Sequence, residues 1–115
     1  MKRNKFNAKK TVIDGITFDS GREALRWCDL RMMELSGVIN CLQLQVPFIL
    51  APKVKISGEL RARPAIRYVA DFTYQQKGQL VVEDVKSPVT ARLPAFRLKQ
   101  HLMATVHGLE IRITS

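Results

Sequence analysis

Three β-rich segments follow one another in the middle of the chain, and this succession limits the folds that the chain can form. They cover residues 45–56, 61–75 and 79–86. The pairs Ser57-Gly58 and Lys77-Gly78 stand between them and are typical turn signals. Short turns between consecutive strands place those strands antiparallel, so we expect a three-stranded meander. Such a sheet must cover at least one face with other elements, which the rest of the sequence should supply.

Hairpin and helix signals flank the meander. The run TVIDGITF places two β-branched stretches around Asp14-Gly15, which is typical of a two-residue hairpin turn. Ser20 and Glu23 have capping-box spacing, and an amphipathic helix is predicted over about residues 20–35, with apolar residues at Ala24, Leu25, Cys28, Met32 and Leu35. After a short loop, a second helix should begin at Pro94 and end at His107-Gly108, before the alternating strand LEIRIT. The pattern predicts a mixed α/β (α+β) domain with helices against one sheet.

Charge and composition narrow the choice of partner. The 115-residue chain has a net charge of +9, and its first ten residues carry five Lys or Arg and no acid. We expect residues 1–10 to form a flexible basic arm ahead of a single domain over residues 11–115. Such a charge favours nucleic acid as partner, although a basic protein without that role is the alternative. No apolar run approaches the roughly 18 residues of a membrane span, so no membrane is expected.

The charges on the third strand are sorted by strand parity. Side chains alternate between the two faces of a strand, so Asp84 and Lys86 should share one face while Glu83 points to the other. On the preceding strand, Asp71 should face away from Tyr68, Ala70, Phe72 and Tyr74 and lie near Asp84. Two carboxylates about 4 Å apart repel by roughly 1 kcal/mol in water and about 4 kcal/mol at an effective dielectric constant of about 20. A bound divalent cation would remove that repulsion.

The acidic residues and the lysine form a pattern that resembles a known superfamily. Glu23 lies in FDSGREA on the first helix, Asp71 in YVADFTY, and Asp84 and Lys86 in VVEDVKSP. A helical glutamate, an acid on one strand and (D/E)-x-K on the next resemble the PD-(D/E)XK nuclease superfamily, whose core has the same αβββαβ order. With LQLQVPFIL and GLEIRI, these segments look like a family of small phage and prophage endonucleases over nearly the whole chain after the arm. Ala70 stands where a proline often precedes the first aspartate.

The resemblance implies a restriction-endonuclease-like fold, with a central mixed sheet flanked by helices, and a role for each site residue. Asp71 and Asp84, with the backbone carbonyl of Val85, would hold Mg²⁺ or Mn²⁺ against the scissile phosphate. Glu23 would contribute a ligand directly or through water. Lys86 would position or help deprotonate the attacking water and stabilise charge in the transition state.

The resemblance also implies DNA as the substrate, bound mainly through its backbone. Gln45 matches a family position near the site, and Lys99 on the second helix would contact the phosphate. Lys9 and Lys10 in the arm, together with Arg67, are predicted phosphate contacts, with a solvated surface charge as the alternative for each. A role on branched DNA, as in resolving Holliday junctions, is the expected subclass, and a homodimer is expected because paired cuts need paired sites.

Several alternatives stay open at the level of sequence. The capping box alone would explain Glu23, and Asp84 and Lys86 would also suit an ion pair on a solvated strand face. A DNA-binding protein that does not cleave is the second functional hypothesis, and an RNA-directed enzyme of the same fold is the third. Cys28 and Cys41 lack CxxC spacing, so we expect reduced core thiols and a cytoplasmic location, in the bacterial host if the protein is phage-encoded.

Overall fold

A computed structural model describes residues 10–115 and shows the predicted mixed α+β fold. Most of the predicted basic arm, including Lys9, lies outside the described residues. The elements are β1 (Thr11–Ile13), β2 (Ile16–Phe18), α1 (Gly21–Leu35), β3 (Asn40–Ala51), β4 (Ile66–Gln76), β5 (Gln79–Val85), α2 (Pro88–Ala91), α3 (Pro94–Leu102), a π-helical turn (Met103–His107) and β6 (Ile111–Thr114). No helix among them is long and apolar enough to cross a membrane.

The described strands form a four-stranded mixed sheet and a separate hairpin. The sheet has the order β3-β4-β5-β6, in which β3, β4 and β5 form the predicted antiparallel meander and β6 lies parallel to β5. The hairpin β1-β2 turns at Asp14 and Gly15, whose φ angles of 51° and 78° are left-handed, as the Asp-Gly signal predicts. Lys77 and Gly78 form a second left-handed turn between β4 and β5.

Helix α1 begins as predicted but buries only part of the predicted apolar run. Ser20 caps it by accepting the N–H of Glu23 at 3.2 Å. The helix buries Ala24, Trp27 and Leu30, whereas Leu25, Met32 and Leu35 of the apolar-periodic run are 68%, 71% and 70% exposed. Burial of the large indole of Trp27 outweighs burial of the smaller side chains, and its ring packs 5.7 Å from that of Phe18.

Two apolar clusters cover the two faces of the sheet. One cluster joins α1 and β2 to the sheet and contains Phe18, Ala24, Trp27, Leu30, Ile39, Phe72 and Tyr74. The other joins α3 and the π-helical turn to the sheet and contains Leu50, Tyr68, Ala70, Val82, Phe96, Met103 and Ile111. Val81 packs against the first cluster and Val82 belongs to the second, so the clusters lie on opposite faces of β5.

Strand β4 does not keep the strict alternation that parity predicts. Tyr68 and Ala70 pack with α3, while Phe72 and Tyr74 pack with α1, so the expectation that all four share a face is wrong. The change of face occurs between Ala70 and Phe72. On the neighbouring strand β3, Gln45 has a φ of 52°, which interrupts the regular pleat beside this position.

The chain after β5 is more helical than predicted. Ser87 accepts the N–H of Thr90 at 3.2 Å and Pro88 occupies the first turn, so the expected loop contains the short helix α2. The predicted second helix is divided into α3 and the π-helical turn, and Gly108 ends the turn at a φ of 65°. Cys41 is exposed and Cys28 half-buried, both as free thiols, so the expectation of a core position is wrong for Cys41.

Candidate functional site

Strands β4 and β5 separate at the two predicted aspartates. Their ladder ends at the pair Phe72 and Glu83, which are the residue after Asp71 on β4 and the residue before Asp84 on β5. Beyond this point β4 remains paired with β3, and β5 remains paired with β6. The carboxylate of Asp71 accepts the N–H of Val85 at 2.8 Å and so replaces a ladder bond. This fork in the sheet, between Asp71 and Asp84, fixes both side chains at its opening.

The two carboxylates at the fork form a coupled pair. Asp84 is 2% exposed, and its Oδ1 is buried without a hydrogen-bond partner among the described residues. Its Oδ2 lies 3.3 Å from Nζ of Lys86. Burial, followed by the hydrogen bond and the charge of Asp84, raises the pKa of Asp71 well above its ordinary value, against the opposing effect of the Val85 N–H. Without a bound cation, the raised pKa favours the protonated form of Asp71 near neutral pH.

An open cleft of about 310 Å³ lies over the fork. Among its lining residues are the predicted site residues Arg67, Asp71, Asp84, Lys86 and Lys99. The ammonium of Lys86 lies 5.1 Å from the centroid of the Phe96 ring, which holds it over α3 at the edge of the cleft. A buried and a half-buried aspartate together with basic side chains on the same lining suit a bound phosphate and a cation.

Glu23 and Gln45 lie together beside this cleft rather than in it. They line a neighbouring cleft of about 250 Å³, and Gln45 donates from Nε2 to Oε1 of Glu23 at 3.1 Å. Burial raises the pKa of Glu23, with further contributions from Asp19 and Asp84, while Lys86 and Gln45 lower it. The backbone of Glu23 is capped by Ser20, but its carboxylate points to Gln45 and is close enough to respond to the charges at the fork. The cap therefore explains its backbone position but not where its carboxylate points.

The site offers carboxylate oxygens as ligands for a hard cation, but only a few side chains supply them. Within residues 10–115, no three Asp, Glu, His or Cys side chains stand close enough together to hold a metal ion. The fork nevertheless fits a divalent cation such as Mg²⁺, because Asp84 Oδ1 is unpartnered and the pKa of Asp71 is raised. Mg²⁺ is usually bound by one or two carboxylates and keeps several waters, so a pair of aspartates is enough.

Glu83 occupies the opposite face, as strand parity predicts. It is fully buried and accepts two hydrogen bonds from Arg26 at 2.7 and 2.8 Å and one from the Tyr74 hydroxyl at 2.9 Å. Arg112 donates to the same hydroxyl at 3.2 Å. This network ties α1 to β4, β5 and β6. Of the three neighbouring charges Glu83, Asp84 and Lys86, only Asp84 and Lys86 line the cleft.

Two polar residues that line the cleft were missed from the sequence. Tyr68 lines it, and its buried hydroxyl has no hydrogen-bond partner among residues 10–115. Burial, followed by the charges of Asp84 and Asp71, raises the pKa of that hydroxyl. Parity had assigned Tyr68 to the other face, and no sequence signal marks the irregularity beside Gln45. Thr90 on α2 also lines the cleft, and the Ser-Pro-x-Thr spacing that caps α2 is the signal that could have placed it.

Of the predicted arm contacts, only Lys10 belongs to the described residues, where it is exposed ahead of β1.

A family model described as "Protein of unknown function (DUF1064)" matches residues 3–113. No curated protein and no solved structure matches the chain.

Proposed function

The chain belongs to the DUF1064 family, and we propose that it is a metal-dependent endonuclease of the PD-(D/E)XK type that hydrolyses phosphodiester bonds in DNA. The observation that carries the proposal is the fork, where Asp71 and Asp84 face each other beside Lys86. Asp84 is buried with one carboxylate oxygen unpartnered among the described residues, and Asp71 lies half-buried beside it, an arrangement that costs stability unless a bound cation or a proton compensates. Such an arrangement is typical of a functional site rather than of a structural ion pair.

Each residue at the fork has a chemical role in this proposal. Asp71, Asp84 and the backbone carbonyl of Val85 would hold a Mg²⁺ or Mn²⁺ ion. When bound, such an ion supplies Lewis acidity and lowers the pKa of a coordinated water. Lys86 stabilises the negative charge that develops on the phosphate, and it also orients the attacking water. Glu23, oriented by Gln45, acts at longer range on the water shell of the site.

Substrate binding follows from the basic rim of the cleft. Arg67 from β4 and Lys99 from α3 line the same cleft as the two aspartates. They place positive charge where a DNA backbone would pass, so the scissile phosphate is directed towards the fork. Backbone contacts carry no sequence information, which favours recognition of DNA structure over sequence. Cleavage of branched DNA by a homodimer is the form of this activity that we propose.

The test is cleavage of plasmid and of a four-way junction with Mg²⁺, Mn²⁺ or EDTA. The wild type should nick or cut in either metal and not in EDTA. Asp84→Asn keeps the size of the side chain and removes its charge, so it should lose cleavage and retain DNA binding. Asp29→Asn is the matched control, because Asp29 is an exposed aspartate on α1. Equal cleavage by Asp84→Asn and the wild type would remove Asp84 from the mechanism.

A second candidate function is DNA binding without cleavage. It is favoured by the spacing of the acidic side chains, since no three of those described in residues 10–115 converge on one point. This candidate predicts tight, salt-dependent binding of DNA and no cleavage of any substrate in either metal. It also predicts that Asp84→Asn binds DNA at least as tightly as the wild type, because a negative charge is removed from the cleft.

A further inference from the structure

The connection between β3 and β4 is an exposed hairpin that adds nothing to either apolar cluster. It covers residues 52–65, which we call the β3–β4 hairpin. Val54 and Arg63 pair across it through two backbone bonds of 3.1 and 2.6 Å. Gly58 has a φ of 90° in its turn, a conformation that favours glycine. Every residue from Pro52 to Pro64 is exposed except Glu59, which is half-buried.

The tip of this hairpin presents a leucine to solvent. Leu60 is 97% exposed, more than any other large apolar side chain among residues 10–115. It follows directly after the turn, where Glu59 accepts two hydrogen bonds from Arg63 at 3.0 and 2.7 Å. This pair links the turn to the second arm of the hairpin. An apolar side chain at the end of a narrow projection is suited to entering a space between flat apolar surfaces.

The charges of the β3–β4 hairpin indicate which class of partner has such apolar surfaces and would bind to it. The hairpin carries four basic residues and one acid, Glu59, which is already paired with Arg63. Lys53, Lys55 and Arg61 are exposed and have no acidic partner in the part of the chain that the structure describes. A polyanion with stacked apolar planes, which is a nucleic acid, complements both the three cations and the leucine.

The hairpin is also continuous with the proposed active site. Its second strand leads directly into β4, where Arg67, Tyr68 and Val69 line the cleft over the fork. A DNA backbone held in the cleft would therefore continue along the hairpin. Stacked duplex resists insertion of a side chain, whereas at a branch point the stacking is already interrupted.

We propose that the β3–β4 hairpin recognises branched DNA by inserting Leu60 against the open base faces at the branch. Lys53, Lys55 and Arg61 hold the flanking phosphates. The inference deepens the proposed function and rests on it for the identity of the polyanion as DNA. It assigns the preference for branched over linear DNA to the hairpin, and the hydrolysis to the fork.

The test separates binding from cleavage by measuring binding in EDTA. A four-way junction and a linear duplex of the same length carry 2-aminopurine at the branch and at the matching position. Wild-type protein should raise the 2-aminopurine fluorescence of the junction, because an unstacked base is less quenched. Leu60→Ser should abolish this rise and lower the preference for the junction about tenfold. Leu35→Ser on α1, another exposed leucine, is the control and should leave both unchanged.

The basic side chains give a second readout. Arg61→Gln should weaken binding to junction and duplex alike, and it should reduce the slope of log affinity against log salt by about 1. An unchanged slope would overturn the phosphate contact at Arg61. An unchanged junction preference and fluorescence in Leu60→Ser would overturn the insertion.

The outcomes for the two proposals are distinguishable. If the wild type cleaves nothing in Mg²⁺ or Mn²⁺ but Leu60→Ser loses the junction preference, the endonuclease proposal fails and the hairpin inference stands. If Leu60→Ser lowers the preference for a junction over a duplex only when both are RNA, the assignment to DNA is overturned. Cleavage that depends on Asp84 with no effect of Leu60→Ser on junction preference would refute the hairpin inference alone.

Discussion

Replacement of Asp71 by asparagine tests the paired carboxylates in the metal-free protein. An asparagine oxygen can still accept the N–H of Val85, a bond that Asp71 makes at 2.8 Å. The substitution removes one of two neighbouring negative charges. Because burial and Asp84 raise the pKa of Asp71, the charged form is unfavourable in the folded protein. We therefore expect Asp71→Asn to be more stable than the wild type at pH 8.

Two free-energy costs in the wild-type protein set an upper limit on this gain in stability. Two charges about 4 Å apart repel by about 4 kcal/mol at an effective dielectric constant of about 20. Keeping Asp71 protonated instead costs about 1.4 kcal/mol for each pH unit above its unfolded pKa of about 3.9, or roughly 5.6 kcal/mol at pH 8. Lys86, with Nζ 3.3 Å from Asp84, offsets part of the repulsion. An increase of about 2 kcal/mol in the free energy of unfolding is the expected result.

Urea unfolding at pH 8 in EDTA measures this increase. The exposed control Asp29→Asn should change the free energy of unfolding by less than about 0.5 kcal/mol. Mn²⁺ at 100 times its dissociation constant should stabilise the wild type by about 2.7 kcal/mol and Asp71→Asn far less, which would remove or reverse the difference. A variant that is less stable than the wild type in EDTA would refute the repulsion between the two aspartates.

Three further results are expected. As pH rises from about 4 to 8, the free energy of unfolding of the metal-free wild type should fall more steeply than that of Asp71→Asn. The reason is that a carboxyl with a raised pKa binds its proton more tightly in the folded state than in the unfolded state. Parallel curves for the two proteins would contradict this. Glu83→Gln should lower the free energy of unfolding in urea by about 2 kcal/mol, since it weakens the buried pair with Arg26. A loss no larger than that of Glu59→Gln, which alters an ion pair on the surface of the hairpin, would count against the network. Lys86→Gln should slow cleavage of plasmid about 100-fold and keep the stabilisation by Mn²⁺, whereas an unchanged rate would exclude Lys86 from the chemistry.

The sequence predicted those parts of the fold that depend on local signals. The Asp14-Gly15 turn and the Ser20 cap are set by residues a few positions apart, and both formed as expected. Strand parity also placed Glu83 and Asp84 on opposite faces, because β5 is regular across both residues. The proximity of Asp71 and Asp84 followed from the short turn that fixes the register of β4 and β5.

The failures concern features that depend on tertiary packing. The buried face of α1 includes Trp27, which the expected apolar run left out, and it is fixed by the pair of Arg26 with Glu83, a residue 57 positions away. The position of Tyr68 in the cleft depends on an irregularity beside Gln45. The residue types at this point do not predict the positive φ of Gln45. Local patterns therefore found the acids of the site but not the tyrosine next to them.

A crystal of the protein soaked in Mn²⁺ and measured near the manganese absorption edge tests the central claim most directly. The claim predicts an anomalous peak at the fork, with carboxylate oxygens of Asp71 and Asp84 bound directly to the ion. The same soak of Asp84→Asn should show no peak there. A wild-type crystal without a peak at the fork, or with its peak away from both aspartates, would contradict the account.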